Sequence, residues 1–188
     1  MTSAQPDPAL RRRFEELVAV VYEPIQRYLR RRTDSATADD VLADVLLVLW
    51  RRLDDVPDEA PLAYAYGVAR GCLGNNRRSA LRQDRVVARL AREPRPDDVA
   101  TDALDGALDE ALAALPEGDR ELLRLWAWEQ LPPREIALVL DISPNAVSIR
   151  LHRAKQKVKE LLLTRSDGAR KDGDATGQTG TRRGGGAR

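Results

Sequence analysis

Residues 131–163, LPPREIALVLDISPNAVSIRLHRAKQKVKELLL, admit few folds. Pro132 and Pro133 precede a short apolar pattern at Ile136, Ala137 and Leu140, which is one face of a two-turn helix. Asp141 breaks the pattern, and aspartate is one of the few non-glycine residues that tolerates a left-handed turn. Ile142 is placed to plug the gap between two helices. Ser143 is a strong N-cap, and Pro144 suits a first helical position, where its missing amide hydrogen would be unpaired anyway. The helix that follows carries Val147, Leu151, Ala154, Val158, Leu161 and Leu162, and this spacing makes one buried stripe. The whole reads as a helix-turn-helix.

The opposite face of the second helix carries the chemistry. At about 100° per residue, Asn145, Ser148, Ile149, His152, Arg153 and Gln156 point away from the buried stripe, with Arg150, Lys155, Lys157 and Lys159 on its flanks. Residues 143–163 hold five Lys or Arg against one acid, Glu160. Amide and hydroxyl groups near the helix start, with cations beyond them, suit reading of a major groove with phosphates gripped at the sides. The competing reading is an amphipathic surface helix with a solvated basic face. The turn, the cap and the short leading helix together weigh against it.

Upstream, periodicity predicts a helix from about Pro8 that buries Phe14, Leu17, Val18, Val21, Ile25, Tyr28 and Leu29, with Pro24 kinking or splitting it. Arg30, Arg31 and Arg32 close it at the negative end of its dipole. Thr37 is the expected cap of a second helix with a stripe of Val41, Leu42, Val45, Leu46, Leu49 and Leu53. Leu47 and Trp50 fall off that stripe, and either a partner or a neighbouring helix covers them. A third helix begins at Pro61, buries Leu62, Ala65, Tyr66, Ala69 and Leu73, and turns basic towards Arg82. Gly67, Gly71 and Gly74 lie along one side, which predicts close approach of a helix or a ligand. Tyr64, Asn75, Asn76 and the arginines form the aromatic, amide and cation cluster that unstacked bases need. Favourable charges at a helix C-terminus would account for the same arginines.

Charge is distributed in blocks. The chain of 188 residues carries only +1 overall. Residues 70–92 nevertheless hold seven arginines and one acid, and residues 93–119 hold nine acids and one base. Two surfaces for anionic ligands with an acidic connector between them follow. Pro94, Pro96, Asp97 and Asp98 mark that connector as a linker. Periodicity returns at Leu104, Ala107, Leu108, Ala111, Leu112 and Leu115, then from about Asp119 with Leu122, Leu123 and Leu125, and Trp126 and Trp128 read as core. Residues 165–188 have no buried-face pattern and read as disordered. Abundant Ala, Leu, Arg, Asp and Glu predict an all-α chain of two small helical domains joined by a flexible linker: residues 11–82, a linker 83–102, residues 103–164 and a tail 165–188.

Several function classes drop out. The single cysteine, Cys72, allows no disulfide framework and is most simply a small packed residue; the single histidine, His152, allows no multi-histidine metal site in one chain. No apolar run approaches a membrane span and the N-terminus lacks a signal-peptide core, so a soluble, cytoplasmic protein is expected. With no glycine-rich phosphate loop and no paired-carboxylate pocket, neither an enzyme nor a cofactor or metal is expected.

Three segments in order, TADDVLADVLLVLWRRLDD, YAYGVARGCLGNNRR and LPEGDRELLRLWAWEQLPPREIALVLDISPNAVSIRLHRAKQKVKELL, resemble the extracytoplasmic-function sigma factors. These are small two-domain promoter-specificity subunits of bacterial RNA polymerase, and the resemblance covers residues 14–163. It implies a region 2-like bundle that binds core polymerase and the −10 element and a region 4-like helix-turn-helix bundle that binds the −35 element. Its implied partners are core RNA polymerase through the β′ clamp helices and the β flap, promoter DNA, and, as a family expectation, an occluding anti-sigma factor.

By position, the resemblance gives Asp40, Asp44, Leu47, Trp50 and Arg51 to the polymerase. It gives Tyr64, Arg70, Asn75, Asn76, Arg77 and Arg78 to the −10 strand, with Asn75 at a flipped-out base. Asn145, Ser148, Ile149, Arg150, His152 and Arg153 fall along the −35 groove. The sequence departs from the family where Tyr64 replaces a frequent Trp, Trp126 a frequent Arg and Ile149 a small polar residue; an apolar side chain at 149 suits a thymine methyl. The rival is a helix-turn-helix regulator that never joins the polymerase, which leaves the basic third helix unexplained.

Overall fold

In the computed structural model the described residues are 7–87 and 103–174, and all of their regular structure is helical. Helix α1 (Pro8–Arg30) starts at Asp7, whose carboxylate accepts from the Ala9 amide at 3.0 Å. It remains one helix through Pro24, which is kinked at most and not split. Helix α2 (Ser35–Arg51) is capped by Asp34 rather than by Thr37. The Asp34 carboxylate accepts from the Thr37 amide at 3.0 Å, so Thr37 supplies the bonded amide and not the cap. That hydrogen bond holds the Asp34 carboxyl below the usual range. A 3-10 turn at Leu53–Asp55 leads to α3 (Pro61–Val87), which passes the expected boundary at 82 by one turn and more. Val21, Ile25, Leu29, Val41, Val45, Leu49, Ala65 and Ala69 are fully buried where α1, α2 and α3 meet.

The second group comprises α4 (Ala103–Ala113), α5 (Glu117–Ala127), α6 (Pro133–Leu140) and α7 (Pro144–Asp174). Helix α7 runs ten residues past the point where the apolar stripe ends and disorder was expected. Propagating an existing helix avoids the nucleation cost, which carries α7 on despite Gly168 and Gly173. The remainder of the expected tail, and residues 88–102 of the expected linker, lie outside the described residues.

The two groups share one continuous core. Val139, buried on α6, faces α3, and a methyl group placed on Gly67 would meet the Val139 Cα at 3.9 Å. Gly67 is thus a close-approach glycine; a methyl on Gly71 would meet nothing within 4 Å. Beside this contact lies an ion cluster. The Arg32 side chain, 2% exposed, donates through Nε and Nη2 to the two carboxylate oxygens of Glu121, and through Nη1 to Glu129 Oε1 and the Tyr28 carbonyl. Its guanidinium lies 3.6 Å above the Tyr28 ring, which meets Tyr66 at 5.2 Å. The Tyr28 hydroxyl donates to Glu121 at 2.9 Å and that of Tyr66 to Glu129 at 3.4 Å, and Arg31 also pairs with Glu129.

Burial, and then the facing glutamates, raise both phenols: Tyr66 is pushed up to about 12 and Tyr28 further. A pKa above the unfolded value means that the stabilisation is complete below about pH 10 and fades as pH rises through the folded values. Alkaline titration followed by phenolate absorbance is therefore expected to show these two tyrosines ionising last, together with loss of α5 packing.

Candidate nucleic-acid interface

The turn before α7 closes as its residue types dictate. Asp141 takes a left-handed conformation (φ 54°), the Ile142 amide donates to the Ala137 carbonyl at 3.1 Å, and Ser143 Oγ accepts from the Ala146 amide at 3.2 Å. A β-branched residue resists that φ, so Asp141→Val is expected to cost about 1–2 kcal/mol, read as a lowered denaturation midpoint, whereas Asp141→Gly retains the turn.

With Val147, Leu151 and Ala154 buried, Asn145, Ser148, Ile149, His152 and Arg153 form an exposed ridge, with Gln156 continuing it. Ile149 is 45% exposed, an apolar side chain held out to solvent in a polar row. Ser148 Oγ donates to the Pro144 carbonyl at 3.1 Å, which leaves its lone pairs free. Arg150 is turned off the ridge. Its Nε and Nη2 both donate to Asp119 Oδ1, at 2.9 and 2.6 Å, tying α7 to the first turn of α5. A methyl on Gly118 would come within 2.8 Å of Arg150 Nη2, so that glycine makes room for the tie.

Helix α3 divides the other predicted cluster. Tyr64, Asn75 and Arg78 share one stripe by helical spacing: Tyr64 is half-buried against the core, and Arg78 donates to Asn75 Oδ1 at 2.6 Å. Arg70 and Arg77 lie on the neighbouring stripe, on the side of the ion cluster. Arg77 donates to the Arg32 carbonyl at 3.1 Å and reaches Glu117 at 3.5 Å. Asn76 is half-buried on the other flank. On α2, Asp40, Asp44, Leu47 and Arg51 make one exposed row. Trp50 is set apart, packed edge-on against Phe14 with ring centres 5.0 Å apart. A neighbouring helix thus covers Trp50, whereas Leu47 stays 45% exposed. Cys72 packs against the core, and burial, aided by Asp44, raises its thiol.

The sequence reading of Trp126 and Trp128 as core needs correction. They are 41% and 38% exposed and line a groove of about 450 Å³ between α4, α5 and α7, with Leu108, Leu112, Leu123 and Val158. The buried stripe of α5 is completed by Leu122 and Leu125, and both tryptophans fall outside it. Lys155 Nζ sits 3.3 Å over the Trp126 ring centre. Among the described residues no helix is long and apolar enough to cross a membrane, and no three side chains are grouped to hold a metal ion.

Comparison with known proteins accounts for this layout. Residues 105–158 match the family model for sigma-70, region 4. The ECF RNA polymerase sigma factor SigL of Mycobacterium tuberculosis is 32% identical over 163 residues, covering 82% of this chain and 88% of that protein. This chain belongs to the ECF sigma factors. The RNA polymerase sigma-E factor of Streptomyces avermitilis is also similar, 31% identical over 84% of this chain and 89% of that protein. The fold agrees with the sigma factor RpoE of Bartonella quintana, solved with the anti-sigma factor NepR (TM-score 0.60, 18% identity, 79% of this chain and 96% of that one). It also agrees with CnrH, solved with the cytosolic domain of CnrY (TM-score 0.56, 26% identity, 82% and 90%). As a sigma factor the chain directs transcription initiation, with RNA polymerase and promoter DNA as its partners. Sequence reasoning missed three features of this sigma factor: the Arg150–Asp119 tie, the Val139 face of α6 and the buried Arg32.

Proposed function

We propose that this sigma factor divides promoter recognition between its two helical groups. Helices α1–α3 act as the −10 and polymerase-binding domain and α4–α7 as the −35 domain. Asn145, Ser148, Ile149, His152 and Arg153 read the −35 duplex, and Arg150 positions α7 through Asp119. Asn75 takes an extruded base of the −10 strand, Tyr64 stacks beside it, and Arg70, Asn76, Arg77 and Arg78 supply amide and cationic contacts. A flipped base costs a few kcal/mol, which stacking and amide contacts offset. The row of Asp40, Asp44, Leu47 and Arg51, with Trp50 behind it, meets the β′ clamp helices, and the tryptophan-lined groove meets the β flap. The chain works in the cytoplasm and lowers the barrier to strand opening by binding, without catalysing a reaction itself.

The observation that carries this reading is the outward ridge at 145–153 behind a closed and capped turn. Run-off transcription with core polymerase on a randomised promoter library is expected to enrich one −35 and −10 pair at fixed spacing. Start sites indifferent to this protein would overturn the reading.

A further inference from the structure

The groove between α4, α5 and α7 is apolar but not neutral. Its lining includes Arg124, Lys155 and Lys159 and no acid. Among the described residues none of the three is ion-paired, whereas Lys157 beside them reaches Glu160 at 3.7 Å. Two of the cations lie on indoles instead: Lys155 Nζ is 3.3 Å from the Trp126 ring centre, and the Arg124 guanidinium is 5.4 Å from that of Trp128. A ring face holds a cation less firmly than a hydrogen-bonded carboxylate does. The deficit is largest at Arg124. Its Nε is closed off from water and donates to nothing among the described residues, which is a costly state for an N–H. Burial, and then the charge of Arg32, pull this guanidinium below the ordinary arginine range. Glu121, the acid that most opposes the shift, is already bonded to Arg32 and Tyr28. An arginine cannot shed its charge in a protein, so this wall favours an anion.

Shape narrows the choice of anion. Along α7 the lining runs from Lys155 and Lys159 to Leu162 and Leu163, about 12 Å at 1.5 Å per residue. On this helix the charged positions come first and the apolar ones follow. The volume of about 450 Å³ is that of a site for one small ligand. A nucleotide or a free phosphate would strand polar groups against apolar walls, and a neutral hydrocarbon would leave the cations uncompensated. One anionic end on one apolar chain satisfies both.

We propose that this groove binds a single long-chain carboxylate, its head group among Arg124, Lys155 and Lys159 and its chain laid over the two indoles towards Leu162 and Leu163. The occupied groove is closed to the β flap, so the bound molecule opposes assembly with the polymerase. That consequence rests on the flap contact proposed above; the site itself stands on its own lining.

The probes are laurate, kept below the concentration at which it forms micelles, and a bromine-tipped undecanoate, both added to the full chain. Bromine quenches an indole that it touches. Quenching is expected to saturate at one molecule per chain with helical circular dichroism unchanged. It is expected to be nearly lost in Trp126→Phe with Trp128→Phe, where Trp50 alone reports. Lys155→Gln with Lys159→Gln is expected to weaken laurate binding about tenfold, the usual order for losing charge-assisted bonds. The uncharged alcohol of the same length is expected to bind the wild type and this variant equally weakly. Quenching that never saturates, equal quenching of Trp50, or equal affinity for laurate and its alcohol would overturn the proposal. Phosphatidylglycerol vesicles test the other anionic source: a chain that sediments with vesicles but ignores monomeric laurate faces a lipid surface, which also overturns it. Association with core polymerase is the separate arm. Saturating laurate is expected to lower it several-fold for the wild type and far less for the lysine variant. Equal proportional losses overturn the inhibitory role. Laurate bound at one per chain with polymerase association intact leaves the site standing and counts against the flap contact instead.

Discussion

Tyr28→Ala is expected to be the most damaging single substitution, lowering stability by about 3–5 kcal/mol, the usual cost of emptying a fully buried aromatic site. Tyr28 is 1% exposed, its ring meets that of Tyr66 at a 46° tilt, and it carries the Arg32 guanidinium on its face. Its loss leaves a cavity in the α1–α3 core and takes away the platform on which the ion cluster is built. Tyr28→Phe keeps the ring and removes only the bond to Glu121, for an expected cost of about 1 kcal/mol. Urea unfolding separates the two cases. Equal losses would mean that the hydroxyl, and not the ring, holds the site.

The second large effect is expected at the ridge. Arg153→Ala should weaken binding to a −35 duplex by about 1–3 kcal/mol, roughly 5- to 150-fold. If Arg153 holds a phosphate, the loss should be uniform across sequences and the salt slope should fall by about one; if it holds a base, one position should relax. Arg150→Ala is expected to act mainly by loosening α7 from α5, because its guanidinium is already committed to Asp119. Duplex titration at several salt concentrations ranks the two. A larger loss at Arg150 than at Arg153 would reverse the roles assigned to them.

Local signals explain why the helix-turn-helix was legible in advance. Asp141 announced a left-handed turn, Ser143 a cap, and the spacing from Val147 to Val158 a buried stripe, and each depends only on residues within a few positions. The exposed ridge followed by subtraction. What was not legible depends on distant partners. The stripe of α6 showed that one face is buried but not that Val139 serves a second neighbour, α3. Arg32 closes a run of three arginines that fits favourable dipole charge, and its burial is created by carboxylates 89 and 97 positions away. Asp34 and Thr37 are both good caps, and only the backbone geometry selects Asp34. Trp126 and Trp128 looked like core because large aromatics usually are; α5 completed its core with leucines and left them on the groove wall.

The ammonium of Lys155 resting on the Trp126 indole gives the groove an optical reporter of its own. A cation over an indole alters its emission, so a segment that enters between α4, α5 and α7 and lifts Lys155 off Trp126 is expected to change the fluorescence of an unlabelled chain. The remaining tryptophan outside the groove, Trp50, is packed edge-on against Phe14 and provides a steady background. Occupancy of this face is thus measurable in real time, separately from anything that happens on DNA.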